Sequence, residues 1–358
     1  MLKRKIMCVD ILNILVDDRH GFGKVIFDED ADSDDEVSID EELHMHIRLP
    51  NYSENMDKRL TFIQEDDSAY DLDDLLQSYA EVMGKDRLGT SYRAGTKTGK
   101  AVVVKRLKET TSMSHEEFER RIEEIVKLTM SHKSLLPLRA YYFSRNEKLL
   151  IFDDMPMGSL ASLLHHNNPG KGETSKAPLT WKVRAGIAFE VAGGIAHLHS
   201  QGSNICHGNI TSANVLLSNS FHVRLSDSGA AQLFTPNFKL TATSSGYHAP
   251  ELKTTENVTQ KADVYSYGVL VLELLTGKAP TTEGMELAAW VRAMFQEKPT
   301  VDVFDDVLRD YCQNFGGQMM FQLLELAICC TFQNPDRRPS MAAVASRLKR
   351  FVDSSNHS

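Results

Sequence analysis

Seven short motifs arriving in one fixed order constrain this chain more than any property of its bulk. Gly84 and Gly89 punctuate a strand-like stretch, and Lys105 ends a valine-rich one. HGNITSANVLL (207–217), LSDSG (225–229), GYHAPE (246–251), DVYSYG (263–268) and NPDRRPS (334–340) then follow. Each alone is ordinary: the glycines read as hairpin turns, the lysine as a solvated side chain, the polar runs as turns between short strands. Their succession over roughly 255 residues is not, because unrelated turns have no reason to keep order and spacing.

The periodicity between the motifs divides the chain. Residues 101–105 (AVVVK) and 148–152 (KLLIF) read as strands, and 115–130 as a helix with Phe118, Ile122 and Ile125 on one face. Residues 180–199 predict a helix with Thr180 as its N-cap; 262–277, apolar nearly all round, predicts a buried helix stopped by Gly277. The expected architecture is therefore α+β in two lobes, a small β-rich one over residues 71–153 and a larger helical one over 154–353, with a tail at 354–358. A Gly/Lys/Ser-rich insert at 167–178 reads as a surface loop.

Residues 1–70 lack sustained periodicity and are expected to be an acidic, largely disordered region, with order beginning near Asp71. Ten acidic residues between Asp28 and Glu42, with no Lys or Arg among them, account for the net charge of -9. The remainder stands at about +1, so no nucleic-acid footprint is expected. Ser33 and Ser38 lie in that acidic run and read as parts of a solvated linker. Five cysteines without a CxxC spacing suit free thiols in a reducing compartment. The apolar stretch 6–16 is short and broken by Asp10 and Asn13, so no membrane span is expected, and Leu2 excludes N-myristoylation. The expected location is cytoplasmic.

Taken together, residues 71–353 resemble a eukaryotic protein kinase. DLDDLLQSYAEVMG (71–84), PLRAYYFSRNEKLL (137–150), MPMGSL (155–160) and CHGNI (206–210) further resemble the cytoplasmic domain of plant leucine-rich-repeat receptor-like kinases, in the pollen-receptor and inactive-kinase branch. The resemblance implies a nucleotide cleft formed by Gly84, Asp86, Gly89, Val103, Lys105, Phe152, Asp153 and Met155, with Phe152 as gatekeeper and residues 153–155 as hinge. It assigns metal-holding positions to Asn214 and Asp227, scaffold positions to Glu251, Asp263 and Arg338, and an activation segment carrying Thr235 and the candidate phosphosites Thr241, Thr243, Ser244 and Ser245. Its implied ligand is ATP with Mg2+ or Mn2+.

Several family positions are altered. Asn209 stands at the catalytic base, Gly208 at the arginine that reads a phosphorylated segment, and Thr211 at a lysine that stabilises the transferring phosphate. A neutral amide takes up no proton, and losing a general base costs about 10² to 10⁴ in rate. Asp86 replaces the middle glycine of the phosphate loop, where its carboxylate is expected to repel phosphate. Val103 narrows the adenine slot, and Ser228 replaces an aromatic. The helix partner of Lys105 is open between Arg121, which opposes like charge, and Glu124 reached by a register slip, with Glu123 close by.

Retained scaffold with degraded chemistry implies a pseudokinase: weak or absent nucleotide binding, and a docking or allosteric role toward active receptor-type protein kinases or their substrates, at the plasma membrane through such partners. The alternative is a weakly active Ser/Thr kinase, since Lys105, Asn214 and Asp227 are intact. A fragment of a longer receptor is a third reading, silent on activity.

Overall fold

In the computed structural model the described residues are 6–7, 59–64, 70–86, 88–108, 113–144, 147–165, 179–229, 246–253, 258–282, 285–297, 301–315 and 317–355. A seven-stranded antiparallel sheet forms the smaller lobe. Its strands are β1 (Ile6–Met7), β2 (Thr61–Phe62), β3 (Tyr79–Lys85), β4 (Gly89–Gly95), β5 (Ala101–Leu107), β6 (Leu138–Phe143) and β7 (Lys148–Asp153), in the spatial order β1-β3-β4-β5-β7-β6-β2. The valine-rich strand lies at the centre, with Lys105 opposite Ser91 on one side and Leu150 on the other.

Two helices serve this sheet. α1 (Leu72–Gln77) carries a capping box in which Asp71 and Asp74 exchange side-chain and backbone contacts. α2 (His115–Thr129) is capped by Ser114 and buries Phe118, Ile122 and Ile125, the face its spacing predicts. Those three pack with Leu138, Leu150 and Phe152 into a core beneath the sheet.

The expectation that order begins near Asp71 needs correction. Thr61 and Phe62 pair with Tyr141 and Ala140 at one sheet edge, and Leu60 packs with Leu72, Leu75 and Ile151. At the other edge Ile6 and Met7 pair with Ala80 and Tyr79. These two-residue strands pair with part of β3 and part of β6 and become the sheet's outermost strands. Two-residue strands carry no periodicity, so neither shows in the sequence. The rest of the acidic region and the insert at 167–178 lie outside the described residues.

The larger lobe is helical. α3 (Leu160–His165) and α4 (Trp181–Ser200) precede the hairpin of β8 (Val215–Leu217) and β9 (Val223–Leu225). α5 (Gln260–Thr276), α6 (Leu287–Glu297), α7 (Asp306–Phe315), α8 (Gln318–Cys330) and α9 (Met341–Ser355) complete it. α4 begins on Thr180, whose hydroxyl accepts from the Val183 amide, and α5 ends on Gly277 at a left-handed φ of 67°. Every residue of α5 from Ala262 to Thr276 is buried, which makes it the axis of the lobe. Each large aliphatic side chain on it contributes about 1.5–3 kcal/mol through burial. The axis also fixes the site, since Asp263 lies in its first turn and Glu273 near its end.

Cys206, Cys312, Cys329 and Cys330 are free thiols. Among the described residues no helix is long and apolar enough to cross a membrane.

Candidate functional site

The phosphate-loop motif is the β3–β4 hairpin. Gly89 is obligatory there, because a Cβ would lie 1.8 Å from the Arg106 carbonyl oxygen. Asp86 does more than crowd this loop. Its Oδ1 accepts the amides of Leu88 at 2.8 Å and Gly89 at 2.9 Å, while its Oδ2 accepts from Lys105 Nζ at 2.6 Å. The same ammonium donates to Asp227 Oδ1 at 2.6 Å, joining residues 122 positions apart. Lys105 and Asp227 are buried. Burial alone would lower the lysine pKa, but Asp227 and then Asp86 outweigh it and hold the ammonium above its ordinary value.

Helix α2 supplies neither of the candidate partners for Lys105. Arg121 donates to Glu117 at 2.7 Å, and Glu124 pairs with Arg120. The lysine makes its ion pairs with the phosphate loop and the LSDSG motif instead. Asp227 has a φ of 62°, a left-handed conformation uncommon for a non-glycine residue and enriched at functional sites. Next to it Ser228 is buried, and its hydroxyl donates to the Leu225 carbonyl at 3.3 Å.

Behind the lysine, Val103 stands opposite Phe152 in the sheet, and both pack with Met155 in the core of the smaller lobe. The hinge acids are anchored from the sheet. Arg139 holds Asp153 at 2.6 and 2.8 Å, and Arg93 holds Asp154 at 2.6 and 3.0 Å.

The catalytic-loop motif is fully formed around its altered residues. Asp263 accepts the backbone amides of His207 at 2.6 Å and Gly208 at 2.9 Å, and contacts His199 Nε2 at 2.9 Å. Gly208 sits at a φ of 79°, which glycine adopts without strain. Asn214 donates from Nδ2 to the Asn209 carbonyl at 2.8 Å, and Thr211 leads into the short helical turn that ends at Asn214. The backbone therefore presents the side chain of residue 209 from a braced loop, and what it presents is an amide. In this arrangement the loop amides and the lysine that would face the phosphates of ATP are engaged by a carboxylate of the chain, and Asp227 is turned to the same lysine.

Arg338 forms a two-pronged pair with Glu251 at 2.6 and 2.8 Å, linking the GYHAPE and NPDRRPS motifs. A further network is not apparent in the motifs. Glu273, 1% exposed, accepts from Ser212 Oγ at 2.8 Å and from the Tyr247 hydroxyl, and meets His165 Nε2 at 2.7 Å. Burial, followed by the Glu273 charge, raises the Tyr247 phenol well above its ordinary pKa. The signal for it is an acid inside an apolar helix, which requires partners wherever it is buried. Thr235, Thr241, Thr243, Ser244 and Ser245 lie outside the described residues.

His207 beneath the catalytic loop is buried, and burial lowers its pKa below 6.5; His132 is shifted the same way, first by burial and then by His197. The folded chain keeps both neutral where the unfolded chain takes up protons, so stability falls as pH drops through about 6.5 and levels off below the folded values. The urea midpoint is expected to be lower at about pH 5.5 than at about pH 7.5. An unchanged or higher midpoint at the lower pH contradicts that assignment.

Two lobes, a lysine on the central strand and a loop braced by a buried helix aspartate define the class as a protein-kinase fold. Residues 78–348 match the family described as protein tyrosine and serine/threonine kinase, and the chain belongs to that family. It is 45% identical over 303 residues to the probable inactive receptor kinase RLK902 of Arabidopsis thaliana. That alignment covers 83% of this chain and 46% of RLK902, so the chain spans less than half the length of that relative. Among solved structures it is similar to the pseudokinase domain of BIR2, an immune regulator of the RLK/Pelle family, with 29% identity, a TM-score of 0.70 and coverage of 84% of this chain and 92% of that one. The maize SIRK1 kinase domain bound to AMP-PNP gives 30% identity, a TM-score of 0.70 and coverage of 81% and 99%.

Proposed function

We propose that this chain is a pseudokinase domain of the receptor-like kinase type, binding ATP with Mg2+ or Mn2+ weakly or not at all. Its role is to act as a binding or allosteric partner of active receptor-type protein kinases or their substrates, on the cytoplasmic side and at the plasma membrane through those partners. The observation that carries the reading is Asn209 held in a fully braced catalytic loop. The loop is built, and the group it carries at position 209 is an amide. Similarity to RLK902 and to the BIR2 pseudokinase domain supports it.

The retained Lys105, Asn214 and Asp227 favour one other reading, a weakly active Ser/Thr kinase. Labelled-phosphate transfer from ATP with Mn2+ decides between them. The purified chain is expected to incorporate no more label than Lys105→Ala, in keeping with the factor of about 10² to 10⁴ that a general base supplies. Robust incorporation that Lys105→Ala abolishes overturns the pseudokinase reading.

A further inference from the structure

The phosphate loop of this chain is closed by one of its own side chains. A phosphate in such a loop is normally held by backbone amides and a nearby lysine, donors that converge on oxygens of negative charge. Here those donors converge on Asp86: the amides of Leu88 and Gly89 on Oδ1, the Lys105 ammonium on Oδ2. The Oδ1 contacts alone are an ordinary local turn, in which an aspartate bonds its own backbone two or three residues on. The Oδ2 contact is different in kind, since it spans from the loop to a buried lysine on the central strand.

We infer that Asp86 is a tethered stand-in for a nucleotide phosphate, latching the loop onto Lys105 so that the latched loop is the resting form of the domain. This deepens the reading of the chain as a kinase fold with impaired nucleotide binding, and rests on it. Three consequences follow from charge and tethering. The lysine is already matched by two carboxylates, Asp86 and Asp227, so an incoming triphosphate meets excess negative charge. It also competes with a ligand that never diffuses away, whose effective concentration is in the millimolar range or above. Third, the closed loop needs no nucleotide to hold it, which suits a module whose partner-binding shape is to be independent of ATP. The carboxylate is about a third exposed at the cleft mouth, with a side-chain exposure of 34%, so the latch sits where a ligand arrives.

The test compares the whole chain with Asp86→Gly and Asp86→Asn by calorimetric titration of ATP, ADP and adenosine in the presence of Mg2+. Asp86→Gly removes both arms of the latch. Asp86→Asn keeps an acceptor for the loop amides and removes the carboxylate charge that faces Lys105, and it serves as a second variant should the glycine loosen the loop. ATP affinity is expected to rise about tenfold to a hundredfold in Asp86→Gly, the range set by charge-assisted hydrogen bonds, with a smaller rise in Asp86→Asn. Adenosine, which has no phosphate, is expected to bind the three proteins alike. No gain in ATP affinity in either variant overturns the latch, and so does an equal gain for adenosine, which places the obstruction elsewhere in the cleft. Phosphate transfer measured on the same proteins keeps the two readings apart. A variant that binds ATP without transferring phosphate supports both, whereas transfer by the unaltered chain removes the pseudokinase reading.

Discussion

Replacing Arg338 by alanine is expected to cost about 3–5 kcal/mol of folding stability, the range for breaking a buried ion pair from one side. The side chain is wholly buried, and its guanidinium is used to capacity. It pairs two-pronged with Glu251, donates to the carbonyls of Phe332, Gln333 and Lys261, and lies 5.0 Å from the centre of the Tyr265 ring. Alanine leaves the Glu251 carboxylate and three carbonyl oxygens without that donor, and opens a cavity against α5. Lysine restores the charge but not the fork, so Arg338→Lys is expected to recover only part of the loss. Urea denaturation of the three proteins measures it; a loss under about 1 kcal/mol for the alanine variant refutes the assignment of this pair as a main tie of the helical lobe.

Why so much of this was legible beforehand, and the latch was not, has a physical reason in each case. α4 and α5 declare themselves because they are long runs, and a capping Thr180 fixes the start of one and a stopping Gly277 the end of the other. Glu251, Asp263 and Arg338 are legible because each sits in a motif whose neighbours fix its place in the fold. By contrast, β1 and β2 depend on partners far along the chain and have too few residues to show alternation. Asp86 was legible as an obstacle to phosphate but not as a ligand of Lys105. That contact depends on how the hairpin folds over the sheet, and on Asp227 arriving from 122 residues away. The choice between Arg121 and Glu124 as partner of Lys105 dissolves for the same reason, since tertiary geometry offers the lysine two carboxylates outside the helix.

The latch and the catalytic loop depart from the family resemblance in opposite senses within an intact frame. In the catalytic loop the altered residues, Gly208, Asn209 and Thr211, are neutral where the family resemblance implies charge. Beside the lysine, one altered residue, Asp86, adds charge and uses it. A fold under no constraint would lose its buried ties along with its chemistry. Here the ties are complete: Asp263 still accepts two loop amides, and Arg338 still clasps Glu251. That combination suits the proposed binding role, a frame whose ties persist without turnover.

Asp263 separates these roles by experiment. In an enzyme the loss of the residue that braces the catalytic loop is read first in the rate; here it is to be read in stability. Asp263→Ala leaves the buried amide of His207 and the half-buried amide of Gly208 unpaired, each costing about 1–3 kcal/mol, so a total loss of about 2–6 kcal/mol is expected by urea denaturation. Asp263→Asn presents one acceptor oxygen and turns an NH2 group toward donors, so it is expected to fall between the two. An Asp263→Ala variant as stable as the unaltered chain is incompatible with the brace. Because the Asn209 amide takes up no proton at neutral pH, no change in phosphate transfer is expected to accompany the loss of stability. If transfer is measurable and falls with Asp263→Ala, the loop is working as an enzyme's loop, and the amide at position 209 has been rescued by another group.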